Sequence, residues 1–208
     1  MMKNLMSFRR QAFTTIELIA VIATIIILMS LVLPAFSKAK RSVYMNQSRM
    51  QLCRYAAGIR AYYQEYGYYP RILSPFEDLA PESIIKLSAT NSANLIRALS
   101  GKETDGVSAL SESNEYLNPD GIQFVEFFDD DFYKNNGTID ATRLADRFNN
   151  PNICIVVESS TDSDAVIPQT AFDGYPTIKA RVPSAGLREK VALFTVGDNN
   201  KSIDVISW

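Results

Sequence analysis

From residue 13 to residue 36 the chain reads FTTIELIAVIATIIILMSLVLPAF, apolar on every side of a helix drawn through it, with Glu17 as its single charge. A helix of that length rises roughly 36 Å, enough to cross the roughly 30 Å hydrocarbon layer of a bilayer. Beyond it the pattern changes without a break. Leu52, Ala56, Ile59, Tyr63 and Tyr66 recur at steps of four and three until Gly67 and Pro70 stop the run, which is the spacing of an amphipathic helix. Together the two patterns predict one helix of about fifty residues, from Phe13 to Tyr66, apolar all round in its first half and one-sided in its second.

Past Pro70 the signals are shorter. Residues 74–79 and 93–99 predict short helices within a looped stretch, the second closed by Ser100 and Gly101. Residues 121–128, 153–157, 177–182, 191–196 and 203–208 are β-rich runs bounded by Asn, Asp, Gly and Pro. The last two lie close enough to pair as an antiparallel hairpin turning at residues 197–200. The expected fold class is therefore α+β, a long N-terminal helix packed against a small antiparallel sheet in a head large enough for one core.

Composition narrows the chemistry. The 208 residues contain no histidine, which removes Ser/His/Asp and Cys/His nucleophilic sites and most zinc sites. The acids 129–131 do not fit a calcium loop, lacking glycine at its sixth place and Glu at its twelfth, and no enzymatic role is expected. Charge is unevenly spread. Residues 37–60 carry Lys38, Lys40, Arg41, Arg49, Arg54 and Arg60 with no acid, whereas residues 61–208 carry 22 acids against 12 bases. A basic stalk and an acidic head suit two subunits lying side by side; the same bases also suit anionic lipid heads beside a membrane segment. Six bases on one helix do not make a nucleic-acid surface.

A leader holding Lys3, Arg9 and Arg10 precedes the apolar segment. Such leaders stay in the cytoplasm, so the chain beyond Ser37 is expected to be exported. Glu17 is the anomaly, since a carboxylate near the bilayer centre costs on the order of 3 kcal/mol and normally finds a partner. No Lys, Arg or His lies between residues 13 and 37. The nearest candidate cation is a new amino terminus at Phe13, which cleavage after Ala12 would create, and the amine of a neighbouring subunit would match it better than the helix's own.

The run Arg9, Arg10, Gln11, Ala12, Phe13, Thr14, Thr15, Ile16, Glu17 resembles the cleavage and methylation motif of type IV pilins and type II secretion pseudopilins, with alanine where glycine is usual at the cut. Pro34 stands where pilins carry a helix-bending proline. Gly67, Tyr68, Tyr69, Pro70 after a tyrosine-rich helix end, and the closing VALFTVGDNNKSIDVISW, are similar to the pseudopilin helix end and head end. Asp146 to Pro151 is a looser match to a turn common in the family. The resemblance implies a leader over residues 1–12, a membrane or filament-core helix over 13–36, its amphipathic continuation over 37–69 and a globular head over 70–208. It implies cleavage between Ala12 and Phe13 by a prepilin peptidase, N-methylation of Phe13, and an assembly role for Glu17. The partners it implies are the inner-membrane assembly machinery, membrane lipid before assembly, and other subunits in a helical filament built from the bacterial inner membrane into the periplasm or onto the cell surface.

Two further expectations depend on that architecture. Related heads bind calcium in a longer final turn, which makes Asp198, Asn200 and Asp204 calcium candidates here; a plain Asx-type turn is the other reading. Pilin architecture lays the strand 153–157 across the stalk helix, so Cys53 and Cys154 could form a disulfide in an oxidising compartment, or stay two small buried thiols. Five tyrosines at 62, 63, 66, 68 and 69 read as rings anchoring the helix to the head rather than as a sugar-binding patch. The alternative for the whole chain is a monomeric, membrane-anchored binding or adhesion protein.

Overall fold

The computed structural model describes residues 14–72, 84–158, 166–197 and 204–208. One helix, α1 (Thr15–Tyr66), runs through the apolar and amphipathic stretches alike, with Pro34 inside it. It stops where the sequence predicts: Gly67 takes the left-handed conformation at φ +72 and donates its N–H to the Tyr63 carbonyl at 2.9 Å, a glycine end that a side chain with a Cβ adopts poorly. The chain forms two compact units, the first ending at Val43 and the second running Tyr44–Trp208.

Within the second unit, β1 (Ile85–Lys86), β4 (Ile153–Val157), β5 (Val191–Thr195) and β6 (Val205–Ile206) make one antiparallel sheet in the order β1-β4-β5-β6. The hairpin expected at the end of the chain is present, with Phe194 opposite Ile206 and Thr195 opposite Val205. Both central strands are buried throughout, and their alternation splits the core in two. Ile153, Ile155, Val157, Val191 and Leu193 face one cluster with Leu52, Tyr55, Ile59 and Tyr62 of α1 and Leu95 and Leu99 of α2 (Ala89–Ser100). Cys154, Val156, Ala192 and Phe194 face the other, with Phe172, Ile178 and Val182. Each fully buried Leu or Ile contributes about 1.5–3 kcal/mol.

The helix α2 forms over the predicted region and is longer. Ser88 caps it, its hydroxyl accepting the Asn91 N–H at 3.1 Å, and Gly101 closes it at φ +66. Two expected strands do not form. In residues 121–128 the Phe124 and Val125 N–H groups both donate to the Leu99 carbonyl, at 2.8 and 2.9 Å, so this run plugs the end of α2 instead of pairing. The run 177–182 begins in a single helical turn, α3 (Pro176–Lys179), started by Pro176, with Ile178 and Val182 four apart on one buried side. A hairpin of β2 (Phe132–Asn135) and β3 (Thr138–Leu144) takes their place. It turns at Asn136 and Gly137, both at positive φ (50 and 86), the pairing that suits the twist of a two-residue hairpin.

The stalk face differs by one ring from the expected one. Tyr62 is fully buried, whereas Tyr63 is 36% exposed. The expected short helix at 74–79 lies outside the described residues.

Candidate functional site

Ala12 and Phe13 lie outside the described residues, and Glu17 lies within them. Thr14 donates its N–H and its hydroxyl to Glu17 Oε2, at 2.9 and 2.7 Å, and the Glu17 N–H donates back to Thr14 Oγ1 at 3.3 Å. This is a capping box, Thr-x-x-Glu, which satisfies two of the N–H groups that a helix start leaves unpaired. The signal is plain in Thr14 and Glu17, and a search for a cation passes over it. Glu17 thus already has a local partner, in Thr14, at the start of α1.

The segment after it exposes apolar side chains. Ile16 is 74% exposed and Phe36 67%, with large apolar side chains exposed on all sides between them. The helix is long and apolar enough to cross a membrane. Its hydroxyls are turned onto their own backbone: Thr24 donates to the Val21 carbonyl at 2.7 Å, Ser30 to Ile27 at 2.7 Å and Ser37 to Leu33 at 3.2 Å. Polar atoms satisfied within the helix cost little in hydrocarbon.

From Ser48 upward α1 becomes the spine of the head, and the contacts there are specific. The Gln51 side-chain amide donates to the Ala145 carbonyl at 2.8 Å, and Ser48 Oγ accepts the Arg147 N–H at 3.0 Å. The loop they hold is organised by Asp146, which accepts the Phe148 and Asn150 N–H groups at 2.9 and 3.0 Å and the Thr195 hydroxyl at 3.2 Å. Burial pushes the Asp146 carboxyl up, opposed by those donors. One turn along α1, Arg54 pairs with Asp131, a fully buried carboxylate that also takes the Phe128 N–H at 2.9 Å and faces Arg147 at 3.5 Å. Asp131, passed over in sequence as one acid among three, is therefore structural. Its burial and its Arg54 partner distinguish it from Asp129 and Asp130.

The tyrosine-rich end anchors the helix. Tyr62 donates to the Leu117 carbonyl at 2.7 Å and Tyr66 to Asn118 Oδ1 at 2.8 Å, with Phe124 tilted or edge-on against their rings at 5.4 and 6.0 Å between centroids.

The disulfide is corrected: Cys53 and Cys154 are both free. Cys53 donates to the Ser207 carbonyl at 3.0 Å. Cys154 points the other way, into the second cluster near the Tyr175 hydroxyl. The physical reason is strand alternation, since Ile153 and Ile155 take the face toward α1 and Cys154 between them cannot. Of the calcium candidates, Asp198 and Asn200 lie outside the described residues. Asp204 accepts the Gly197 N–H at 2.9 Å through Oδ1 and the Arg181 guanidinium through its carbonyl at 3.0 Å, a loop-closing role. Among the described residues no three His, Cys, Asp or Glu side chains converge as a metal site.

No family model, no curated protein and no solved structure matches this chain.

Proposed function

We propose that this chain is a structural subunit of the type IV pilin and pseudopilin kind, cleaved after Ala12, methylated at Phe13 and polymerised from the inner membrane through its apolar helix. The observation that carries the reading is α1 itself, one uninterrupted helix whose start is an acid-bearing, fully exposed apolar segment and whose end is the buried spine of a head. An anchor for a monomer needs only the first half. Continuity into a head built on the same helix suits a subunit that buries the exposed half among copies of itself.

In this reading Glu17 keeps its Thr14 cap and takes a neighbour's Phe13 amine. Thr14 lies on the mature side of the cut, so processing leaves the cap intact. The test is the mass of the mature amino terminus, expected at methylated Phe13; a terminus near Lys40 refutes it. Glu17→Val should leave cleavage and insertion unchanged and reduce incorporation when wild-type subunits compete. Equal incorporation refutes the intermolecular role and favours an anchored monomer.

A further inference from the structure

The head carries a groove that the stalk contacts leave open. It encloses about 320 Å³ beside the loop 102–106, the run 123–129 and the β2–β3 hairpin. Its base is apolar, with Ile96 and Val125 buried and Phe132 half-buried, while Asp105, Glu126 and Asp129 are exposed at its edge; with Glu103 the lining holds four acids against one base, the half-buried Lys102, so the groove stays net acidic. The wall is stiff. Asp105 accepts the N–H groups of Val107 and Ser108, both at 2.9 Å. Glu103, held at about 2 by its bonds to Asn114, Arg97 and Ser111, ties the base of the same loop to α2 through Arg97 at 2.6 Å. Glu126 and Asp129 are different: among the described residues no salt bridge takes up either one.

An apolar base under an acidic edge selects a particular chemistry. It suits a long side chain with an aliphatic stem and a cationic head, so that the stem covers the base and the charge reaches the edge. A volume near 300 Å³ is at the small end of ligand sites, room for one or two such side chains. Exposed apolar groups flank it, Ile139 at 40% and Val107 at 83%, as at a surface meant to be covered.

The chain carries a segment of that composition. Lys38, Lys40 and Arg41 are exposed on α1 with no acid from residue 37 to residue 60, and the exposed apolar side chains Val43 and Met45 come just after them. We infer that the groove is the docking site for the basic stretch 38–41 of a second copy of this chain. The inference rests on the filament reading above and names the surface through which one subunit's head meets another's stalk. Opposite charge on the two surfaces fixes the register and steers encounter, while covering Ile139 and Val107 adds apolar burial.

The test compares full-length chains in cells that carry the peptidase and assembly machinery. One variant reverses the head (Glu126→Lys, Asp129→Lys), one reverses the stalk (Lys38→Glu, Lys40→Glu, Arg41→Glu), and one carries all five changes. The readout is the share of subunit in sheared filaments, with Trp208 fluorescence confirming a folded head. Each reversal alone is expected to lower that share about tenfold, and the variant with all five changes to recover most of it. Wild-type assembly by the head variant overturns the inference and leaves the filament reading standing. A folded head variant that the stalk changes do not rescue assigns the groove to another partner, which also overturns it. A wild-type chain that is processed yet never enters filaments overturns the filament reading itself.

Discussion

Removing Arg54 should cost the head about 2–3 kcal/mol, and most of that cost should disappear once Asp131 is neutral. Truncating one partner of a buried ion pair costs about 3–5 kcal/mol, because the other charge stays buried and unpaired. Asp131 is fully buried, but it keeps the Phe128 N–H at 2.9 Å and Arg147 at 3.5 Å, and Arg54 is itself 31% exposed. These retained contacts place the expected value at or below the low end of that range. Arg54 also lies over the Tyr55 and Phe128 rings, at 5.5 and 5.1 Å, worth about 0.5–1 kcal/mol. In an Asp131→Asn background only that ring contribution remains to be lost. For a head of this size each kcal/mol moves Tm by about 2–4 °C, so Arg54→Ala should lower it by about 4–12 °C.

The assay is thermal unfolding of the full chain in detergent, monitored by tryptophan fluorescence. Trp208 is the single tryptophan and packs in the second cluster, 5.7 Å from Phe172 and 6.4 Å from Phe194, so its signal reports the sheet and not the apolar first half of α1. An Arg54→Ala cost that is the same in both backgrounds to within about 0.5 kcal/mol refutes the pairing.

Gly58→Ala should destabilise, since a Cβ there would sit 2.1 Å from Val125 Cγ2; overpacking of about 1–3 kcal/mol outweighs a helix-propensity gain of about 1. Adding Val125→Ala should relieve that clash, and a rise in Tm from Gly58→Ala alone contradicts the contact. Asp146→Asn tests the buried carboxyl through pH. Its folded pKa is raised by burial, so its contribution to stability is full below the unfolded value of about 3.9 and is lost as pH rises through the folded one. The asparagine variant should gain on wild type as pH goes from about 3 to about 7, and a constant difference refutes this. Unfolded, unreduced protein should present two alkylatable thiols. In the native state Cys154 should resist, being buried with its thiol pKa pushed up by that burial; a protein with neither thiol reactive when unfolded carries the disulfide after all.

Much of the fold is legible one element at a time. The helix α1 needs only its own pattern and a glycine stop. The strands β4 and β5 read as unbroken apolar runs because both of their faces are covered, and the short spacing before β6 leaves a hairpin as the simple connection. The β2–β3 hairpin is legible too, but in Asn136 and Gly137 rather than in alternation: FYKN and TIDATRL are too polar to register as apolar strands. Likewise Thr14 and Glu17 spell their cap in two letters. These features are local, set by neighbours within about four residues.

Position in the tertiary structure settled the rest. GIQFVEFF has strand composition, yet Gly58 opens a place on α1 for Val125 and the end of α2 offers a carbonyl to its N–H groups, so the run becomes a plug. Asp131 differs from Asp129 and Asp130 because folding buries it and brings Arg54 onto it from a remote part of the chain, whereas Arg147 reaches Asp130 as well. Cys53 and Cys154 stay apart because alternation along β4 puts Cys154 on the face turned from α1. By itself, the sequence determined the long helix, its apolar first half and the α+β class, because periodicity and caps act through adjacent residues. Which acid is buried, which apolar run pairs and which thiols meet were decided only on folding, because burial and partner choice depend on segments far apart in the chain meeting in space.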